Sequence, residues 1–334
     1  MKKNRFILVT GGLGFIGSHT CVELLNCGYK VIVIDNLINS SKKNINRIYK
    51  ITNKNIIFYK IDIRNKKLEF LFKKYNFYSV IHFAGLKAVS DSNNNFFDYF
   101  DNNVNGTINL LRIMKKYNCN RFVFSSSACV YDEKSKSPIK ENANVNPKSG
   151  YGFTKLQIEK ILEKLFIMDS KFWHIVILRY FNPIASHPSG FLPENPKKAE
   201  NIVPKILNVI SKKEKFFKIY GDNYQTKDGT CLRDYVHVVD LARSHILALN
   251  ILKKPILKIF NIGNGKGYSV KDIINEFSKQ INLKISFKVT KRREGDVDIS
   301  YADSNSAKKN LGWKNKYNLV DMCKHTINSF KNYE

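Results

Sequence analysis

Tyr151 and Lys155 stand four residues apart in the segment Tyr151-Gly-Phe-Thr-Lys155. On a helix that spacing puts a phenol and an ammonium on one face. A free tyrosine gives up its proton only near a pH of about 10. A neighbouring cation favours the phenolate, and a second positive charge beside it would make the pair a base usable near neutral pH. Tyr-x-x-x-Lys arises by chance in most long chains, so its surroundings decide its meaning. Upstream, Arg121-Phe-Val-Phe124 runs into Ser125-Ser-Ser127. Ser127 is placed to bond the same hydroxyl from which Tyr151 would take a proton, although a polar strand terminus needs no such role.

A phenolate base of this kind suits hydride chemistry, and the N-terminus offers a place for the hydride carrier. Phe6-Ile-Leu-Val9 leads into Thr10-Gly-Gly-Leu-Gly-Phe-Ile-Gly-Ser-His19, and Ile16, Thr20, Val22, Leu24 and Leu25 then begin a helical pattern. Gly12, Gly14 and Gly17 fit the G-x-G-x-x-G dinucleotide fingerprint, with Gly11 in the same turn. The first glycines let backbone approach a pyrophosphate, the last lets helix pack on strand, and the helix N-terminus presents free N–H groups. A second apolar run, Val31-Ile-Val-Ile34, ends in Asp35. A carboxylate about twenty residues beyond the glycines bonds an adenosine ribose hydroxyl and repels a 2′-phosphate, which predicts NAD rather than NADP.

The elements that must hold these groups alternate. Further strands are expected at Ile56–Tyr59, Ser79–Phe83, Arg121–Phe124 and His174–Leu178. Helices are expected at about 67–75, 96–117 and 152–165. The pattern is that of an α/β protein: a doubly wound parallel, Rossmann-like sheet with its site at the strands' C-terminal ends. After Asn182-Pro183 the alternation loosens. Residues 1–182 are read as an NAD-binding domain, and 183–334 as a smaller, mixed α/β C-terminal domain for the substrate. A segment at about 234–260 returns to the first domain, with a helix over 234–252. Residues 190–201 are read as a loop.

Lys and Arg number 56 against 28 Asp and Glu, a formal net charge of +28. Such an excess would ordinarily suggest nucleic acid or an anionic membrane. Here the basic residues form no concentrated tail, and Lys pairs fall where solvated helix faces are expected. They are read as compositional drift, with neither nucleic acid nor membrane as a partner. The six cysteines make no Cys-x-x-Cys and the seven histidines no metal-spaced cluster. No metal and a cytoplasmic protein with reduced thiols are expected.

With these residues in view, the chain resembles the extended short-chain dehydrogenase/reductase superfamily, and within it much more closely the UDP-glucose 4-epimerase family. The likeness covers nearly the whole chain. It rests on the glycine segment, Asp35-Asn-Leu37, His82-Phe-Ala-Gly-Leu-Lys-Ala-Val89, Tyr99 with Asp101-Asn-Asn-Val-Asn-Gly-Thr107, Ser125-Ser-Ser-Ala128, Tyr151 with Lys155, and Leu178-Arg-Tyr-Phe-Asn-Pro183. It continues through His187-Pro-Ser-Gly190, Asp228-Gly-Thr230, Arg233-Asp-Tyr-Val-His237 and Arg292-Arg-Glu-Gly-Asp296.

The resemblance implies roles. Gly11, Gly14, Phe15, Ile16, Gly17, Asp35, Asn36, Asp62, Ile63, Phe83, Ala84, Gly85, Lys87, Asn102 and Lys155 would meet NAD, with Phe181 beside the nicotinamide. Asn182, Asn201, Arg233, Arg293 and Asp296 would meet a UDP-sugar, with Ser127 and Tyr151 at the reacting hydroxyl. Arginine suits a diphosphate because its fork binds oxygens bidentately. The implied reaction has Tyr151 take the proton of the sugar 4-hydroxyl while hydride passes to NAD. The 4-keto sugar turns over, and hydride returns to its other face. Ser300, where a larger Tyr accompanies narrow specificity, implies acceptance of N-acetylated sugars as well. A slip of one residue, placing Tyr301 in the pocket, stays open.

Three positions depart from the family pattern: Cys129 for the usual Thr or Ser, Asp132 where Gly often stands, and Gly150 for the usual Pro. The last two put local loop geometry in question. The rival chemistry is a nucleotide-sugar 4,6-dehydratase, which carries Asp-Glu after the strand-end hydroxyl, where this chain has Ala128-Cys129. A non-catalytic NAD-sensing regulator, or a nucleic-acid binder on the same fold, is disfavoured by intact Ser127, Tyr151 and Lys155. Apolar stripes on the helix over 96–117 (Val104, Ile108, Leu111; Leu110, Met114, Tyr117) and on the helix bearing Tyr151 (Ile158, Ile161, Leu162, Leu165) predict a homodimer. The alternative is that both stripes pack inside one subunit.

Overall fold

Short apolar runs become strands: β1 (Phe6–Thr10), β2 (Lys30–Asp35), β3 (Ile57–Lys60), β4 (Phe77–His82), β5 (Arg121–Ser127), β6 (His174–Tyr180), β7 (Asn182–Ile184), β8 (Phe217–Tyr220), β9 (Leu232–His237), β10 (Ile256–Ile262), β11 (Gly267–Ser269), β12 (Phe287–Thr290) and β13 (Ile299–Ser300). The computed structural model describes residues 5–194, 201–293 and 295–331. Seven strands pair in the order β10-β6-β5-β4-β1-β2-β3, and every pair is parallel. The order reverses between β1 and β4, so a crevice opens at their C-terminal ends.

Successive side chains of a strand face opposite ways, and both sets here are buried. Ile7, Val9, Val31, Val33, Ile81, Val123 and Val176 pack with the helices Phe15–Asn26 and Val238–Ile251. Leu8, Ile32, Ile34, Val80, Phe122, Phe124 and Ile175 pack with Gly106–Lys116 and Gly150–Met168 on the other face. This explains the near-continuous apolar runs, because a parallel sheet covered by helices has no solvent face.

A second core gathers Val203, Ile206, Phe217, Ile219, Tyr235, Ile273, Phe277 and Met322. Around it lie two small sheets: β9 pairs β11 antiparallel and both β13 and β7 parallel, and β8 pairs β12. The mixed C-terminal part thus takes the expected form.

Two expectations need correction. The helix expected over 234–252 begins only at Val238, because residues 234–237 belong to β9. The Asp234 carboxylate accepts N–H bonds from Asn264 (2.6 Å), Gly265 (3.0 Å) and Ala302 (3.0 Å), pinning the strand between its neighbours. The helix expected over 96–117 is three pieces, an α-helix at Phe96–Phe100, a π-turn at Asp101–Asn105 and an α-helix at Gly106–Lys116. Of the loop expected over 190–201, residues 195–200 lie outside the described residues, as does Glu294 of the Arg292–Asp296 motif.

Candidate active site

The glycine turn sits at the C-terminal end of β1, where its geometry leaves no room for side chains. Gly11 has φ +66°, and a Cβ there would lie 2.7 Å from the Ala84 nitrogen. A Cβ on Gly17 would lie 2.4 Å from the Gly11 carbonyl oxygen. The helix ladder begins with Ser18 N–H donating to Gly14 O at 2.9 Å. The N–H groups of Phe15, Ile16 and Gly17 are therefore left to a ligand, the arrangement that suits a phosphate. Asp35 closes the turn: its carboxylate accepts from Leu13 N–H (3.1 Å), Leu37 N–H (2.9 Å) and the Ser40 hydroxyl (2.7 Å). A cradle built this closely fits a dinucleotide.

The cradle forms one side of a cleft of about 1350 Å³. Gly11, Gly14, Phe15, Ile16, Gly17, Asp35, Asn36, Ile63, Phe83, Ala84, Gly85, Lys87, Asn102 and Phe181 all line it, as do Ser127, Tyr151, Lys155, Asn182, Asn201, Arg233, Arg293 and Asp296. Asn102 reaches the cleft from the π-turn, which also aims Asn103 inward to accept from Leu86 N–H (2.7 Å) and to donate to the Thr154 hydroxyl (3.0 Å).

Two expected residues stand next to residues that line the cleft. Asp62 stands behind Asn36, accepting from its side-chain amide at 2.9 Å and from Arg64, whose guanidinium holds the carboxyl far below its usual range. Ser300, in β13, pairs with Arg233 of β9, which lines the cleft. Tyr301, one residue on, has its ring against Gly267 of β11.

The reacting groups meet where β5 ends against the helix Gly150–Met168. Ser149 caps that helix by accepting from Gly152 N–H at 3.0 Å. Ser127 accepts from Cys129 N–H at 3.2 Å and so starts the short 3₁₀ turn Ala128–Val130. Lys155, buried, donates to the Ser125 carbonyl at 2.7 Å, and its ammonium lies 5.7 Å from the centre of the Tyr151 ring. Burial pushes the Tyr151 phenol well above its ordinary range; the Cys129 thiol adds to this and the Ser127 hydroxyl opposes it. Burial also lowers Lys155 to about 8, against the pull of Glu159. The protein alone therefore keeps the phenol protonated. Positive charge brought into the cleft has to tip it towards phenolate.

Across the cleft, Arg233 pairs with Asp296 and donates to the Leu232 carbonyl at 2.7 Å. The Arg293 guanidinium stacks 3.9 Å over the Tyr220 ring. Asn201 stands just before the helix Ile202–Ile210 and donates to the buried Glu194 at 2.7 Å. Two guanidiniums and an amide thus face the reacting pair, which suits a diphosphate.

The departures are absorbed locally. Asp132 accepts from Lys134 N–H (2.8 Å) and the Asn146 amide (3.1 Å), building its own turn. Gly150 donates its N–H to Asn93 at 2.9 Å. Ala128 and Cys129 leave no carboxylate beside Ser127. Sequence reasoning missed Glu159 and Arg179 behind Lys155; the signal for Glu159 was its position one turn after the lysine. It also missed Glu194, for which no local signal exists.

Comparison with known proteins agrees with this geometry. A family model described as GDP-mannose 4,6 dehydratase matches residues 8–326. The UDP-glucose 4-epimerase of Dictyostelium discoideum is 44% identical over 322 residues, 95% of this chain and 93% of that protein. The crystal structure of UDP-glucose 4-epimerase from Stenotrophomonas maltophila, with bound NAD and formylated UDP-arabinopyranose, superposes with a TM-score of 0.96 at 38% identity over 98% of each chain. That from Bifidobacterium longum, in complex with NAD+ and UDP, gives 0.94 at 42% identity, again over 98% of each.

Proposed function

This chain belongs to the UDP-glucose 4-epimerase family of extended short-chain dehydrogenases/reductases, and from that premise we infer that it interconverts UDP-glucose and UDP-galactose with NAD as cofactor. One observation carries the reading: Ser127, Tyr151 and Lys155 stand in the same cleft as a glycine cradle on one side and Arg233 with Arg293 on the other. The relatives in the comparison are epimerases, and Ala128-Cys129 lacks the carboxylates that a dehydratase needs to eliminate water.

When bound, NAD supplies the acceptor for a hydride from sugar C4 and its later return. The chain's residues do the rest. Gly11, Gly14, Gly17, Asp35 and Lys155 would hold the cofactor. Tyr151 takes the proton of the 4-hydroxyl and Ser127 bonds the same oxygen. Lys155 adds its charge to that of the bound cofactor in favouring the phenolate. Arg233 and Arg293 anchor the diphosphate, so the 4-keto sugar can turn over without leaving.

Several finer readings belong with this proposal: division into domains at 182/183, action in the cytoplasm, and acceptance of N-acetylated UDP-sugars through Ser300. So does a homodimer. Most of the stripe residues, Val104, Leu110, Leu111, Met114, Ile158 and Leu162, are buried within the chain's own core. Phe97, Phe153, Ile167 and Met168 remain exposed on the same elements, and they support a partner there, which sedimentation would test. The central experiment is incubation of the purified protein with UDP-galactose and assay for UDP-glucose. No conversion by NAD-loaded protein would overturn the reading.

A further inference from the structure

The helix that carries Tyr151 and Lys155 also carries Glu159, one turn beyond the lysine and 1% exposed. A carboxylate so buried is costly unless charge and hydrogen bonds satisfy it. Arg179 of β6, 3% exposed, does so with both arms of its fork: Nε donates to Oε1 at 3.0 Å and Nη2 to Oε2 at 2.6 Å. The Ser126 hydroxyl donates to Oε1 as well. The other side of the guanidinium donates through Nη1 to the Tyr131 hydroxyl at 3.0 Å and the Glu141 carbonyl at 2.9 Å. One buried cluster thus joins the helix of the base, the strand position next to Ser127, and β6. Neither Glu159 nor Arg179 lines the cleft.

For stability alone, a buried ion pair is commonly matched by apolar side chains. Its position beside Lys155 gives it a different use. The hydrogen bond of Lys155 goes to a neutral carbonyl, and burial works against its charge. The titratable groups around it are Tyr151 on its own helix and His82 at the end of β4, which burial keeps neutral. On β6 stand Tyr180, kept protonated by burial, and Arg179, which lies behind Glu159. Glu159 is the carboxylate whose charge acts on Lys155.

Building on the epimerase reading, we propose that Glu159, clamped by Arg179, is a positioning residue that keeps Lys155 charged and holds Ser127 in register with Tyr151. Removing that charge lets Lys155 lose its proton at lower pH. The phenolate of Tyr151 then loses its stabilising cation, and turnover falls first at the alkaline end.

The test uses the NAD-loaded protein and the double variant Glu159→Gln/Arg179→Gln, which removes both charges and leaves two amides able to bond each other. Glu159→Asp, which keeps the charge, accompanies it. In the double variant KM is expected to hold, while the alkaline limb of the kcat profile moves down by about one pH unit or more. Ultraviolet titration of tyrosinate, with Tyr151→Phe as the reference, is expected to show its onset moving up. Glu159→Asp keeps the limb in place. A folded, loaded double variant with the wild-type pH profile and tyrosinate onset overturns the proposal. So does an equal shift in Glu159→Asp, which decides the matter alone should the double variant unfold. Failure of the wild type to convert UDP-galactose counts against the epimerase reading instead, and the tyrosinate titration still reads the cluster without turnover.

Discussion

Replacing Gly11 by alanine separates a cofactor cradle from an ordinary turn. At φ +66° an alanine sits in the left-handed region, at a cost of roughly 1–2 kcal/mol. Its Cβ would lie 2.7 Å from the nitrogen and 2.9 Å from the Cα of Ala84. Because both are backbone, no side-chain rotation relieves the overlap, which adds about 1–3 kcal/mol. Relief comes only by shifting the glycine turn or the Phe83-Ala84 turn, and both line the cofactor side of the cleft. If the whole of that roughly 2–5 kcal/mol falls on NAD, affinity drops by about 30- to 4000-fold. Gly28→Ala is the matched control: φ is +83°, and nothing lies within 4 Å of the added carbon. It carries the backbone penalty without the collision, at a site outside the cleft. Calorimetric titration of stripped protein with NAD, and separately with UDP, reads both variants. Gly11→Ala should lose NAD and keep UDP, and Gly28→Ala should keep both. Wild-type NAD affinity in Gly11→Ala, or an equal loss in Gly28→Ala, would refute the reasoning.

Tyr151→Phe should leave the fold, NAD content and UDP binding intact while lowering kcat by roughly 100-fold or more, the scale of acid–base catalysis; near-normal turnover would remove Tyr151 from the role of base. Denaturing fresh protein should release NAD, because the Asp35 carboxylate is fixed by three donors at the cradle and repels a 2′-phosphate; predominantly NADP in the supernatant would contradict this. The wild type should convert UDP-N-acetylgalactosamine as well as UDP-galactose. Ser300→Tyr should suppress the first by roughly 5- to 150-fold, the equivalent of about 1–3 kcal/mol of overlap, and spare the second. Absence of N-acetyl activity in the wild type would end that idea.

What could be read from the sequence was what is local along the chain. The glycine cradle is built from seven consecutive residues, and Tyr151 with Lys155 from one helical turn, so their types and spacing already state the geometry. The parallel sheet and a site at its C-terminal ends follow from the alternation of buried runs with helices. Asp62 and Ser300 were placed by resemblance and counting, and each depends on a neighbour that counting does not see. Arg64 and Asn36 take both oxygens of Asp62, and the pairing of β13 with β9 sets Ser300 beside Arg233. Arg179 is twenty residues from Glu159, and the two meet only once β6 lies against β5. Half of that pair could be found from its spacing to Lys155; the other half belongs to the tertiary structure.

Gly150 is a position whose meaning lies in its neighbours as well as in its own residue type. A glycine at this position suggests a looser entry to the helix of the base, since glycine has the most freedom to lose on folding. In the folded chain its absent side chain is occupied space: a Cβ would lie 2.4 Å from the Ser92 carbonyl oxygen and 3.1 Å from the Phe96 ring. Its N–H, which proline lacks, donates to Asn93. The helix Val89–Asn94 therefore packs directly against the start of the catalytic helix. It brings Ala88 and Asp91, which accept from the Tyr99 hydroxyl at 2.9 and 3.1 Å, to the cleft wall. Glycine here costs conformational entropy on folding and allows a close helix contact and one hydrogen bond in the folded chain. That contact fixes the start of the helix on which Tyr151 is the next residue.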